Sequence, residues 1–172
     1  MKLLRVFNEE NVLQDKLDMF EKRSSVRAVV IDKNNNVALL YSNKFKYHTI
    51  PGGGVEQGET VEQAVKRECK EEVGCVTEII SGVGEIIEVR EKNELINNIH
   101  CYMVSVSGEK GKSVFTQDET EDQFVVIWVT LEEAIKHIES DSESGSLDYK
   151  YTKQRNIIFL NEAKELIKLT ST

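Results

Sequence analysis

The sequence predicts an α/β fold in which helices cover a mixed β-sheet. Three observations support this prediction. Runs of β-branched residues have the length of strands, Thr-x-x-Gln and Thr-x-x-Glu capping boxes mark the starts of helices, and the two kinds of element are mixed without strict β-α-β alternation. The 172 residues show no internal repeat and no change of composition that marks a boundary, so a single domain over residues 1–172 is expected.

The predicted elements follow in chain order. Residues 1–22 are interpreted as an N-terminal extension with a short helix, whose apolar side contains Val12, Leu13, Leu17 and Phe20. Strands are predicted at residues 26–31, 37–41, 47–50 and 124–129 and within 76–89 and 98–106, the first two forming a hairpin around residues 32–36. Helices are predicted at residues 60–74, 130–137 and 151–169, and the Ser-rich segment 140–146 is predicted to be a surface loop.

Composition limits the classes of function. The net charge of -8 disfavours binding to nucleic acid or to anionic membranes, which requires a basic face. No run approaches the ~18 apolar residues of a membrane span, and the N-terminus lacks a secretory signal, so a cytoplasmic location is expected. Cys69, Cys75 and Cys101 are odd in number and form no C-x-x-C pair, which indicates buried thiols rather than disulfides or a zinc site.

The helix predicted between Thr60 and Gly74 carries the most informative pattern. On a helical wheel its apolar side contains Val61, Val65 and Cys69, and Lys66, Arg67 and Lys70 lie opposite. Glu68 and Glu72 fall among the apolar residues, and Glu71 lies at their edge. Either the helix is rotated so that these acids are solvated, or something offsets the cost of burying them. The candidates are protonation, a basic partner or a divalent cation, and an all-oxygen ligand set suits Mg²⁺ or Mn²⁺.

Seven residues in and before this helix follow the spacing G-x5-E-x7-R-E-U-x-E-E-x-G-U, where U is an apolar residue. They are Gly53, Glu59, Arg67, Glu68, Glu71, Glu72 and Gly74. The pattern resembles the Nudix box of the Nudix hydrolases, a MutT-like family. The resemblance implies an α/β/α sandwich around a mixed sheet, and a Mg²⁺-dependent pyrophosphatase that hydrolyses a nucleoside diphosphate linked to another moiety.

The resemblance also implies roles for individual residues. Glu68, Glu71 and Glu72 are expected to bind metal or support a base, with the Gly53 carbonyl as a further ligand. Arg67 and Glu59 are expected to form a structural ion pair, and Gly74 to end the helix. Substrate contacts are expected at Gly52, Gly53, Gly54 and His48, although His48 replaces a tryptophan found in many relatives. Both apolar positions of the box are cysteines, Cys69 and Cys75.

A further acid from a loop is expected to complete the site. Family members often place a glutamate before a late strand, and the acidic stretch 118–122 precedes the strand predicted at 124–129. Glu121 is therefore predicted as a catalytic acid, with Glu119 as the other candidate in a loop that is equally well read as a solvated acidic surface.

Several alternatives remain open from sequence. A non-catalytic nucleotide or nucleotide-sugar sensor is expected to lose box acids, whereas this chain retains all of them. Hydrolysis of capped or triphosphorylated RNA ends is disfavoured by the acidic charge. A small nucleotide-like substrate is expected, and 8-oxo-purine nucleoside triphosphates, ADP-ribose and dinucleoside polyphosphates all fit. Many relatives form dimers, so a homodimer is a further expectation.

Overall fold

A mixed sheet of seven strands forms the centre of the computed structural model, which describes residues 1–142 and 146–170. The strands are β1 (Leu3–Phe7), β2 (Glu21–Ile31), β3 (Asn36–Ser42), β4 (Tyr47–Thr49), β5 (Thr77–Arg90), β6 (Leu95–Val106) and β7 (Phe124–Thr130). The helices in these ranges are α1 (Gln14–Leu17), α2 (Val61–Glu72), α3 (Gln117–Glu121), α4 (Leu131–Ser140) and α5 (Leu147–Thr170), with a 3₁₀ turn at Glu91–Asn93.

The strand order is β1-β5-β6-β2-β3-β4, and β7 pairs with β3. β1 is parallel to β5 and β2 is parallel to β6, whereas the other paired neighbours are antiparallel. The prediction of a mixed sheet is therefore confirmed.

Helices cover both faces of the sheet. On one face, α2 packs Ala64, Val65 and Cys69 against alternate residues of β2. On the other face, α4 and α5 enclose a larger core that includes Leu39, Ile86, Ile138, Phe159 and Leu160. These two layers form the α/β/α sandwich that the resemblance implied.

The predicted hairpin of β2 and β3 opens soon after its turn. The strands are paired at Ile31 and Val37, and β3 then pairs with β4 and β7. Residues 51–54 take the free edge of β2: the Val26 amide donates to the Gly53 carbonyl at 2.9 Å, and the Ala28 amide donates to the Pro51 carbonyl at 2.9 Å. The three-glycine segment is thus held against a central strand.

The N-terminal segment differs from its predicted form. Residues 3–7 form strand β1 at the sheet edge, and helix α1 has only four residues. Val12 and Phe20 are buried against Val89, but Leu13 is 72% exposed, so the predicted apolar side is only partly correct. β1 has no local signal because its partner β5 lies about eighty residues away in the sequence.

The C-terminal elements are longer than predicted. α4 extends to Ser140, and α5 begins at Leu147 rather than at residue 151. The predicted loop 140–146 therefore overlaps α4 by one residue, and its residues 143–145 lie outside the described part of the chain. No helix in the described ranges has the length and apolar character needed to cross a membrane.

Candidate active site

Helix α2 has well-defined ends. The Thr60 amide donates to Gln63 Oε1 at 2.8 Å, and the Gln63 amide donates to Thr60 Oγ1 at 3.2 Å, which confirms the capping box. Gly74 follows the C-cap with φ +72, and a Cβ there would lie 2.7 Å from the backbone of Lys112. A glycine is therefore required where the chain leaves the helix.

The buried side of α2 contains two of the three predicted acids. Glu68 is 8% exposed and Glu72 is 5% exposed, whereas the Glu71 side chain is 45% exposed. The alternative of a rotated helix with three solvated acids is therefore wrong. Burial of this kind is costly without compensation.

Arg67 supplies part of that compensation. Its guanidinium forms a bidentate pair with Glu59, at 2.9 and 3.1 Å, which is the predicted ion pair. It also donates to the Gly54 carbonyl at 2.9 Å, to Glu68 at 2.7 Å and to Glu71 at 3.1 Å. The helical wheel placed Arg67 opposite the apolar side, and its long side chain nevertheless reaches Glu68 and Glu71.

Glu72 is the least compensated of these carboxylates. Burial raises its pKa well above the ordinary value of 4.5, and the Gly52 amide, which donates to Glu72 Oε2 at 2.6 Å, opposes this only in part. Burial also raises the pKa of Glu68, against the lowering effect of Arg67. A strongly raised carboxyl pKa in a cleft is typical of functional sites.

The glycine segment faces the helix closely. A Cβ on Gly53 would lie 2.4 Å from Glu68 Oε1, and a Cβ on Gly54 would lie 2.7 Å from Arg23 Nη2. Gly52 has φ +137, and its Cβ would lie 2.2 Å from the Val26 carbonyl oxygen. The Gly53 carbonyl accepts one hydrogen bond, so its second lone pair is available for a ligand.

The short helix α3 brings a fourth acid to the site. Thr116 and Glu119 form a capping box in which the Thr116 amide donates to Glu119 Oε2 at 2.7 Å. Glu119 lines the cleft, and its carboxyl group contributes to the raised pKa of Glu72. Glu121, the acid predicted as catalytic, is exposed and accepts from Gln117 Nε2 at 2.9 Å. The structure thus brings Glu119, not Glu121, to the box glutamates.

These elements surround an open cleft of about 560 Å³. Its walls include Glu68, Glu71, Glu72, Gly53, Gly54, Arg67 and Glu119, together with Arg23, Val55, Glu56, Val114, Phe115 and Thr116. Within residues 1–142 and 146–170 no three His, Cys, Asp or Glu side chains already converge as a metal cluster. The donor set still fits a hard divalent cation, because it consists of carboxylate and carbonyl oxygens and includes Glu72, a buried acid that forms no ion pair within the described residues.

His48 lies outside this cleft. Its Nδ1 is 2.8 Å from Asp141 Oδ1, its amide donates to Asp141 Oδ2 at 2.6 Å, and its ring lies between those of Tyr41 and His137. These contacts join β4 to the end of α4. The predicted substrate contact is therefore not among the residues that line the cleft.

The fold is similar to solved structures of low sequence identity. They include the E. coli ORF135 protein (21% identity, 69% of this chain and 80% of that one, TM-score 0.52). A MutT NUDIX hydrolase from Burkholderia pseudomallei has 18% identity, 78% and 97% coverage and a TM-score of 0.54. A NUDIX hydrolase from Nitrosomonas europaea has 16% identity, 78% and 90% coverage and a TM-score of 0.57. At these identities the likeness concerns the fold.

Sequence relatives match over a short segment. An ADP-ribose pyrophosphatase from Methanocaldococcus jannaschii is 47% identical over 58 residues, which are 32% of this chain and 34% of the relative. An RNA pyrophosphohydrolase from Psychromonas ingrahamii is 47% identical over 47 residues, or 26% of each chain. The match thus spans about a third or less of these relatives.

A family model covers most of the chain. The model described as the NUDIX domain matches residues 21–149, which contain β2 to β7, the glycine segment, α2 and α3. This extent, together with the cleft built from the box residues, assigns the family without reliance on the short segments above: the chain belongs to the NUDIX family.

Proposed function

We propose that this protein is a Mg²⁺-dependent hydrolase that cleaves a phosphoanhydride bond in a nucleoside diphosphate linked to another moiety. The observation that carries the proposal is that four carboxylates, Glu68, Glu71, Glu72 and Glu119, line one open cleft beside a glycine segment. Oxygen-rich clefts of this kind hold divalent cations, and anionic phosphates bind through those cations even in an acidic protein.

Glu68, Glu71 and Glu72, with the Gly53 carbonyl, are the residues that would hold Mg²⁺, and Mn²⁺ is an alternative. The cation supplies neutralisation of phosphate charge and acidification of a bound water. The Arg67 bonds to Glu68 and Glu71 are the contacts that it would replace. Arg67 keeps its bonds to Glu59 and to the Gly54 carbonyl, and these connect the helix to the glycine segment.

Glu119 is proposed as the further acid that the sequence analysis placed on Glu121. Its carboxyl group lines the same cleft as that of Glu72 and is held by the capping box of α3, so it is positioned to accept a proton from the attacking water. We expect Glu119→Gln to lower kcat by about 10²-fold or more, whereas Glu121→Gln stays within about twofold of wild type. The matched pair of variants separates the two candidates in one steady-state assay.

The substrate is proposed from the chemistry of the cleft and the names of the relatives. Those relatives are an ADP-ribose pyrophosphatase and an RNA pyrophosphohydrolase, and both activities break a phosphoanhydride bond. A panel of ADP-ribose, nucleoside triphosphates, dinucleoside polyphosphates and a 5′-triphosphorylated oligoribonucleotide, each with Mg²⁺ or Mn²⁺, tests the proposal. Turnover of at least one substrate that stops on chelation is the expected result. Binding without turnover across the panel would favour a sensor and reject the hydrolase.

A further inference from the structure

Arg23 stands apart from the other charged residues of the cleft. It lies on β2, opposite Asn97 of β6, and lines the same cleft as the four glutamates. Its side chain makes no hydrogen bond or ion pair within the described ranges of the chain, although glutamates line the same cleft. Arg67, the other arginine of the cleft, is fully engaged with Glu59, Glu68, Glu71 and the Gly54 carbonyl.

The Arg23 guanidinium lies close to Gly54. A Cβ on Gly54 would lie 2.7 Å from Arg23 Nη2 and 3.5 Å from its Cζ. The absence of that Cβ therefore lets the guanidinium lie over the glycine segment. Gly54 thus has an arginine on each side, because its carbonyl accepts from Arg67 Nη2 at 2.9 Å.

We propose that Arg23 binds non-bridging oxygens of the substrate's phosphate groups. This inference rests on the proposed function, because it assigns a residue to the same phosphate-containing substrate. The glutamates of the cleft repel a phosphate group. The guanidinium of Arg23 is positively charged and planar, so it can donate hydrogen bonds to two phosphate oxygens at once. Arg23 is therefore a substrate-binding residue whose effect falls on affinity rather than on the chemical step.

The test compares Arg23→Ala and Arg23→Lys with Lys22→Ala. Lys22 is the exposed neighbour on β2, its side chain points to the other side of the strand, and it does not line the cleft. We expect Arg23→Ala to raise KM about tenfold with kcat changed by less than about twofold. Arg23→Lys is expected to fall between wild type and alanine, because it keeps the charge but loses the fork, and Lys22→Ala is expected to match wild type.

A binding measurement keeps this test independent of turnover. Imidodiphosphate, a non-hydrolysable diphosphate, is titrated calorimetrically into each variant with Mg²⁺ present. We expect Arg23→Ala to bind it about tenfold more weakly than wild type and Lys22→Ala to bind it equally well. If wild type turns over no substrate in the panel, the proposed function fails, and imidodiphosphate binding alone decides the role of Arg23. Equal binding by wild type and Arg23→Ala, or equal KM values, would overturn the assignment.

Discussion

Two buried glutamates on opposite faces of the sheet have opposite electrostatic environments. Glu88 is 0% exposed, and its two oxygens accept from Arg155 at 2.7 Å and from Arg90 at 2.6 Å. Burial alone would raise its pKa, but the two arginines lower the pKa below 4.5. Glu72 is 5% exposed, and burial raises its pKa because the Gly52 amide, which donates to Glu72 Oε2, offsets the effect only in part.

The difference separates a structural acid from a functional one. The charge of Glu88 is neutralised within the chain, so its role is to join β5 to α5. Glu72 is almost as deeply buried but forms no ion pair within the described residues, and the charge of Arg27 lowers its pKa less than burial raises it. Burial by itself does not identify a site, whereas burial that leaves the pKa of an acid strongly raised is typical of functional sites.

The substitution Glu72→Gln is expected to have the largest effect and tests whether Glu72 acts in the reaction. If Glu72 serves an external cation, the isosteric amide lowers kcat by about 10²- to 10⁴-fold in the presence of Mg²⁺. The free energy of unfolding without divalent ions is expected not to fall, because a poorly compensated buried acid has been removed. Steady-state kinetics and urea unfolding on the same sample measure both effects. Wild-type turnover in this variant would remove Glu72 from the reaction.

Glu88→Gln tests the other side of the comparison. The substitution leaves Arg155 buried without its carboxylate, which costs about 3–5 kcal/mol in unfolding free energy. Because Glu88 lies outside the cleft, the kcat of the folded protein should stay within about twofold of wild type. A stability loss equal to that of Glu72→Gln would show that the two environments are not distinct.

The pH dependence of the free energy of unfolding distinguishes the two glutamates, because their contributions change with pH in opposite directions. The folded-state pKa of Glu88 is depressed, so its contribution to stability is complete above pH 4.5 and is lost as the pH falls through the folded-state pKa. Glu72, with a raised pKa, has the opposite sign: without divalent ions, stability falls as the pH rises above 4.5. Chemical unfolding of wild type and the two glutamine variants from about pH 2.5 to pH 7 in chelator is the measurement, because the Glu88 effect lies below pH 4.5 and the Glu72 effect above it. Parallel curves for the two variants would contradict these directions.

The smallest expected effect concerns Glu59, which supports the site through Arg67. Glu59→Gln leaves Arg67 with only the acids Glu68 and Glu71 as charged partners, so Mg²⁺ competes less well for them. We expect the Mg²⁺ concentration for half-maximal activity to rise about tenfold, with kcat at saturating Mg²⁺ nearly unchanged. A Mg²⁺ titration measures this, and Glu78→Gln, on an exposed acid paired with Lys66, is the matched control.

Local chemistry made much of this site predictable. Helix α2 has a capping box, a terminal glycine and an apolar stripe, and together these located Glu68 and Glu72 on its buried side. Helix α3 has an equally complete capping box at Thr116, but it lacks an apolar stripe, so the sequence pattern predicts a loop there. The capping box was the signal that would have favoured Glu119 over Glu121.

Contacts between distant parts of the chain were not predictable in the same way. The hydrogen bond between His48 and Asp141 joins residues 93 positions apart, and hydrophobic periodicity in the sequence does not predict such a contact. Strand β1 likewise depends on a distant partner. The contacts of Arg67 with the acids do not follow from a helical wheel, because a wheel gives the direction of each side chain and ignores its length.

The pairing of residues 51–54 with β2 has a thermodynamic consequence. Three adjacent glycines usually imply a mobile segment, but here Pro51 and Gly53 accept amides of a central strand. The conformational entropy of this segment is therefore lost when the protein folds and not when a ligand arrives. A phosphate or cation that contacts the segment meets a rigid surface, and its binding free energy is not reduced by ordering the chain.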